Sequence, residues 1–260
     1  MKIGILFSSG LDSTMLVYKA LKEGHKVQPL YIELKNNDIK TAAELWHIEK
    51  LISLFKEEFG YDNISDVHYP AKIELNGAGT INLVQPPLWV LGLAYSQEIN
   101  VDEYQIGYVT GDCAISYLDD IKALYDSYKW FSREPLKKLR FPLIKHIKPD
   151  LINSLPGRYA EFVWTCEQPI EIPKLEENSP EYIKKIYADY KLNVNQISCG
   201  RCEICEKYKF LAKNDSWIRN KFKTSFLFYN EGISEIIDKE NMRKSDEENM
   251  LTAGDVQQND

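Results

Sequence analysis

The sequence contains no apolar window long enough to cross a bilayer, and it opens on a strand-like run rather than a charged and apolar leader. Neither a membrane span nor a signal peptide is therefore expected, and the natural compartment is the cytoplasm. Positive charge is in deficit, with 32 Lys and Arg against 39 Asp and Glu and a formal charge of −7. That balance argues against a broad nucleic-acid surface, leaves room only for a local one, and favours a small-molecule or protein substrate. Five cysteines in an intracellular chain do not make a disulfide framework. Internal repeats and long low-complexity segments are absent. So are the P-loop lysine pattern and the spaced glycines of a dinucleotide-binding turn, which removes Walker-type and Rossmann-type binding.

What is present is a chain of 260 residues, 44% hydrophobic, enough for one domain of ordinary size with an appendage. An apolar run, Ile3 to Phe7, reads as a strand, and the amphipathic Met15 to Leu21 reads as a helix. Between them lies Ser8-Ser9-Gly10-Leu11-Asp12-Ser13-Thr14, the turn that opens the helix. The first amides of a helix have no intrahelical partner and carry partial positive charge, so small residues here let an anion approach, and the hydroxyls can donate as well. The plainer alternative is an ordinary strand-to-helix turn with Asp12 or Ser13 as cap.

Strand and helix signals then alternate. Val27 to Glu33 reads as a strand and Asp38 to Phe59 as a long helix capped by Asp38, with His47 in its core or rim. A third strand is expected over Ile64 to Ala71, a loop over Lys72 to Val84, and a helix from Pro86 to Gln97. Tyr104 to Thr110 reads as a strand, Asp119 to Phe131 as a helix, Leu139 to Ile144 as extended and Lys148 to Leu151 as the start of a short helix. This alternation predicts a doubly wound α/β fold with a mainly parallel sheet, whose ligands gather at the carboxyl ends of the strands. It places Asp112, Tyr117 and Asp119 beside the first turn as candidates for substrate or magnesium. Helix capping is an equal explanation for Asp119.

Cys199-Gly200-Arg201-Cys202-Glu203-Ile204-Cys205 brings three thiols into one turn, and Cys166 supplies a fourth. Four thiolates suit a closed structural zinc site; buried reduced cysteines and an iron–sulfur cluster are the alternatives. Cys113 stands alone and reads as a packed small residue rather than a reactive thiol. The expected division is an α/β domain over 1–158 and a C-terminal zinc-binding helical module over 159–237. Within the module, 170–198 is a helical insertion with Tyr182, Ile186, Tyr187 and Tyr190 on one face, and a disordered tail over 238–260 follows it.

Ser8-Ser9-Gly10-Leu11-Asp12-Ser13 resembles the SGGxDS signature of the PP-loop ATP pyrophosphatases, with Ser9 in place of the first glycine. Together with the closing Cys-Gly-x-Cys-x-x-Cys, Ile106-Gly107 with Asp112, Tyr117-Leu118-Asp119, and Pro142-Leu143 with Lys148 and Asp150, it resembles the 7-cyano-7-deazaguanine synthase family from Met1 to about Phe210. The resemblance implies a ligase that adenylylates 7-carboxy-7-deazaguanine with ATP and Mg2+, lets ammonia displace AMP, and spends a second ATP dehydrating the amide to the nitrile. It assigns ATP to Phe7, Ser8, Ser9, Gly10, Leu11, Asp12, Ser13, Thr14 and Tyr31, catalysis to Asp12, Ser13 and Lys148, and Zn2+ to Cys166, Cys199, Cys202 and Cys205. Homodimers are common in the family.

The departures fall on the substrate side, apart from an insertion between Cys166 and Cys199 much longer than the family usually has. The family's arginine is missing around Gln85-Pro86-Pro87-Leu88-Trp89, Asp120 and Ile121 replace an arginine and a cysteine, and the residues after Tyr31 lack an Arg-His pair. Three other readings stay open. A defence-system relative would join a deazaguanine to a partner protein docked on 170–198. A tRNA-modifying PP-loop enzyme and a non-catalytic nucleotide-binding partner are the others.

Overall fold

The computed structural model describes residues 1–35, 37–74, 85–132, 135–172, 174–190, 195–212 and 216–222. In chain order the elements are β1 (Lys2–Leu6), α1 (Leu11–Lys22), β2 (Lys26–Leu30), β3 (Glu33–Lys35), α2 (Asp38–Phe59), β4 (Lys72–Glu74), α3 (Gln85–Ala94) and β5 (Glu103–Gln105). There follow α4 (Leu118–Ser127), β6 (Lys138–Arg140), α5 (Lys148–Ser154), α6 (Gly157–Ala160), β7 (Ile170–Glu171), α7 (Glu181–Tyr190), β8 (Gln196–Ile197), α8 (Glu203–Ala212) and α9 (Ser216–Lys221). The central sheet runs β2-β1-β5-β6, all parallel. The expected α/β doubly wound fold is therefore present, with the chain leaving β1 for one side of the sheet and returning on the other. The carboxyl ends of β1 and β5 flank that switch point, where a ligand crevice forms.

Alternation along β1 feeds two cores. Ile3, Ile5 and Phe7 join α1, α2, α5 and α6 on one face. Leu6 joins α3 and α4 on the other, with Leu30 and Tyr104. Gly4 lies on this second face beneath the Tyr104 ring, where an added Cβ would meet Cδ1 at 2.6 Å. Tyr208 of α8, Ile218 of α9 and Phe222 just after α9 sit in the first core, so the C-terminal helices are built onto the body of the α/β domain.

Several boundaries differ from expectation for local reasons. The second strand divides into β2 and β3, and β3 pairs instead with β4, within the stretch read as a loop. The expected strand over Ile64 to Ala71 makes only isolated bridges, Val27 with Ile64 and Leu30 with His68. Pro29 explains this. Val27 donates to Asn63 and Tyr31 to His68, but the proline between them on the same edge has no N–H, so the ladder loses its middle rung. Asn37, not Asp38, caps α2, accepting from the Lys40 amide at 3.0 Å. The strand after Asp102 is only β5, and α4 stops at Ser127 with a 3-10 turn, Tyr128–Trp130, after it. In α7 the buried stripe is Ile183 and Ile186, while the side chains of Tyr182 and Tyr190 lie outside the described residues. The tail over 238–260 lies outside them too. Among the described residues no helix is long and apolar enough to cross a membrane.

Candidate functional site

The turn after β1 is held open at its amides. Gly10 is the N-cap of α1, and no side chain caps the helix. Ser13 is turned inward instead: its hydroxyl donates to the Gly10 carbonyl at 3.1 Å and accepts from the Ser8 amide at 3.3 Å. Ser9 has φ +58°, a left-handed conformation where the resembled signature has glycine, and its side chain is fully buried. Its carbonyl accepts from the Trp164 amide at 3.0 Å, which ties the turn to the segment carrying Cys166.

From the other side Gly107, just past β5, lies against the first turn of α1. A Cβ there would stand 2.9 Å from the Asp12 carbonyl carbon and oxygen and 3.2 Å from the Ser13 nitrogen. These are backbone atoms that cannot swing aside. Gly107→Ala is expected to lower stability by roughly 1–3 kcal/mol, since it displaces the first turn of α1, and, if that turn holds an anion as the resemblance implies, to weaken nucleotide binding at least tenfold. Chemical denaturation and calorimetric titration check both.

Asp12 projects from that turn into a charged cluster. The Lys148 ammonium donates to Asp12 Oδ2 and lies 3.3 Å from Asp112 Oδ1. Asp112 Oδ2 accepts from the Val109 amide at 2.9 Å. Burial pushes the Asp12 carboxyl up to about 6; Lys148 pulls it down and Asp112 adds to the rise. Asp12 Oδ1 and Thr14 Oγ1 are buried without a hydrogen-bond partner.

These groups open on one cavity of about 430 Å3. Its wall holds Phe7, Ser8, Gly10, Leu11, Asp12, Ser13, Tyr31, Asp112, Tyr117, Lys148 and Cys166, so the structure brings most of the sequence-predicted site residues together. Ser9 and Thr14 lie buried behind the turn, whereas Asp119 is fully exposed on α4 beside Lys122 and does not line the cavity. Cys113 is exposed at the rim, contrary to the packed role expected of it. His47 is buried, its Nδ1 2.9 Å from the Phe162 carbonyl oxygen, and burial lowers its pKa to about 4, which fits a neutral core residue.

Sequence reading passed over Lys40, Glu44, Tyr108, Trp164 and Glu167, all of which line the cavity. Their one local signal was the four-residue spacing of Lys40 and Glu44 on α2.

The Sγ atoms of Cys166, Cys199, Cys202 and Cys205 all lie within 4.8 Å of one another, buried. Cys166 and Cys199 are 3.5 Å apart. Zinc–sulfur bonds of about 2.3 Å give tetrahedral sulfur separations of about 3.8 Å, so the donor set fits one such ion. The amides of Arg201 and Cys202 donate to Cys199 Sγ at 3.4 and 3.3 Å, leaving that sulfur suited to negative charge. Cys202 is held well below the usual thiol range by hydrogen bonds from Cys166 and then Cys205, and the same sharing drives Cys166 up.

No family model matches the chain. It is 25% identical over 224 residues to 7-cyano-7-deazaguanine synthase 2 of Rhodopseudomonas palustris, covering 80% of this chain and 95% of that one. The chain resembles the 7-cyano-7-deazaguanine synthases. It is also 27% identical over 212 residues to the tRNA-specific 2-thiouridylase MnmA of Helicobacter pylori, covering 71% of this chain and 59% of that one. A solved 4-thiouridine synthetase–RNA complex with bound ATP is similar at 12% identity and a TM-score of 0.42, over 86% of this chain and 53% of that one. The class that the sequence relatives support is an ATP-using PP-loop enzyme.

Proposed function

We propose that the protein is an ATP-dependent, AMP-forming carbon–nitrogen ligase that converts 7-carboxy-7-deazaguanine, with ammonia, through the amide to 7-cyano-7-deazaguanine. The observation that carries this reading is the cavity in which the turn from Phe7 to Ser13 meets Asp12, Lys148 and Asp112. Its volume of about 430 Å3 lies in the range of small-molecule sites.

In this mechanism the substrate carboxylate attacks the α-phosphorus of ATP, and pyrophosphate leaves on the uncapped amides of α1. Ser13, locked between Gly10 and Ser8, keeps those amides in register. Lys148 neutralises charge on the triphosphate and then on the acyl phosphate. Ammonia displaces AMP to give the amide; the amide oxygen then attacks the α-phosphorus of a second ATP, pyrophosphate leaves, and departure of that oxygen with AMP, together with the two amide protons, leaves the nitrile. Asp12 and Asp112 are the residues that would hold Mg2+, and the buried, unpartnered Asp12 Oδ1 is the atom an ion would satisfy. Bound magnesium supplies charge neutralisation of the phosphate oxygens. The four cysteines would hold zinc in a closed, structural role, stapling the 159–237 segment to the ATP domain over 1–158.

The test incubates metal-replete protein with ATP, magnesium, ammonium and 7-carboxy-7-deazaguanine and follows AMP, pyrophosphate, amide and nitrile by mass spectrometry. Amide and nitrile formed with AMP are expected. An untouched acid in the presence of folded, metal-bound protein sinks the reading. One feature favours a second one: among the described residues the cations lining the cavity are Lys40, Lys148 and Lys207, and no arginine lines it. A fork-shaped grip on a free carboxylate is thus missing. Transfer of the deazaguanine onto a partner protein, docked on 170–198, would then appear as a product of protein-sized mass.

A further inference from the structure

A second charged cluster lines the cavity, built from three separate parts of the chain. Tyr31 follows β2, Lys40 and Glu44 stand on α2, and Glu167 directly follows Cys166. Lys40 Nζ lies 2.5 Å from Glu167 Oε2 and 3.7 Å from Glu44 Oε1. Tyr31 donates to Glu44 Oε2 at 2.6 Å. Burial works against charge on Lys40, but Glu44 and Glu167 outweigh it and hold its pKa above the ordinary value. Glu44 is a helix neighbour and would accompany Lys40 in any event. Glu167 arrives from 127 residues away.

What brings it there is the cysteine cluster. Cys166 Sγ accepts from the Cys199 amide at 3.1 Å, and Ala43 of α2 is packed against Trp164 and the four cysteines. The Trp164 indole donates to the Cys166 carbonyl at 3.1 Å, while its amide holds the Ser9 carbonyl. Four consecutive residues, Trp164 to Glu167, thus touch the phosphate-facing turn, the cysteine cluster and Lys40, and all four line the cavity.

We infer that Glu167 is a positioning residue that fixes the Lys40 ammonium at the cavity wall, and that metal bound by the four cysteines sets this position through Cys166. The linkage stands independently of the ligase reading; only the ammonium's service to the polar end of the non-nucleotide substrate rests on it. Without the Glu167 charge, Lys40 keeps only Glu44 of these two partners, at 3.7 Å, and a flexible four-carbon stem is released from its direction.

The test is the rate at which an amine-acylating reagent labels Lys40, read by peptide mass spectrometry on the full chain. Slow labelling is expected in metal-loaded wild type and at least tenfold faster labelling in metal-loaded Glu167→Gln, with metal content, circular dichroism and ATP affinity unchanged. Glu167→Asp should recover part of the protection. Removing the metal with a chelator, at a temperature below the lowered transition of the metal-free protein, should accelerate Lys40 as Glu167→Gln does, while Lys56, on the same helix as Lys40 with its side chain only 17% exposed beside Asp66, labels at its former rate. Wild-type labelling in Glu167→Gln overturns the inference, as does unchanged Lys40 labelling after verified metal loss. In turnover, Glu167→Gln is expected to raise KM for 7-carboxy-7-deazaguanine about tenfold with kcat held within threefold. Accelerated Lys40 labelling in a protein that never turns over that acid would sink the ligase reading and uphold the linkage.

Discussion

Cys202→Ser is expected to abolish stoichiometric metal binding and to remove stabilisation on the order of 10 kcal/mol, the scale of structural zinc in small domains. Cys202 is buried, its amide donates to Cys199 Sγ, and α8 starts at the next residue, so the ligand also sets where that helix begins. Losing it loosens two segments at once: the turn from Cys199 to Cys205 and the strap from Trp164 to Glu167. Tyr208, Ile218 and Phe222 pack into the same core as α1 and α2, so the damage should reach the whole α/β body. Calorimetry should therefore show one transition moved far down in temperature, with no separate low-temperature step from an independent C-terminal unit. Metal analysis and limited proteolysis within 195–222 provide the companion measurements. Cys113→Ser is the control: that thiol is exposed at the cavity rim, and its loss should leave metal content and melting unchanged. Retention of metal with an unshifted transition in Cys202→Ser would remove the structural assignment.

The parts of this arrangement that could be read from sequence are those whose cause is local. The turn from Ser8 to Thr14 declares itself by small and hydroxyl residues between an apolar run and an amphipathic one, and the cysteines at 199, 202 and 205 by spacing. The parallel, doubly wound sheet followed from alternating strand and helix signals, whereas its strand order came from the structure. What escaped was set by long-range partners. The stretch from Ile64 to Ala71 has the composition of a strand, yet whether it pairs fully depends on Pro29 in β2. His47, read as core or rim from the apolar face of its helix, is indeed buried, but its partner, the Phe162 carbonyl 115 positions later, had no signal in the sequence. Glu167 carried no motif, because its meaning comes from Lys40 across the cavity. The departures from the resembled family now have a location: Ile32, Leu34, Gln85, Pro86 and Trp89 all line the cavity, so the missing arginines change the surface a substrate would meet. The turn from Ser8 to Ser13 keeps the resembled signature except at Ser9, and the four cysteines keep its ligand types across a much longer insertion between the first two; on the proposed reading these are the groups whose chemistry least depends on which acid is activated.

Asp12→Asn is the substitution that should separate stability from function. In the nucleotide-free protein, burial raises the Asp12 carboxyl from 3.8 to about 6, so its ionised form is disfavoured by folding. The sign follows from the raised value: its contribution to stability is full below about pH 4 and is lost as pH rises through about 6. A neutral amide escapes that loss. Asp12→Asn should therefore stabilise the empty protein above pH 6, by at most about 3 kcal/mol for a shift of roughly two units. The gain will be smaller because Lys148 is left with Asp112 alone at 3.3 Å. Magnesium–nucleotide binding runs the other way. On the proposed reading, in which Asp12 holds the ion, binding needs the carboxylate, so in wild type it should weaken as pH falls through 6, whereas Asp12→Asn should bind weakly and without that titration. Loss of one preorganised charge at the reacting phosphates predicts a fall of about 10^2–10^3 in kcat. Thermal melts and nucleotide titrations from pH 5 to 8 read both effects on the same preparations. A variant that is less stable than wild type at pH 7.5, or that binds magnesium–ATP with the wild-type pH profile, would show that Asp12 is a structural partner of Lys148 and that the ion is held elsewhere.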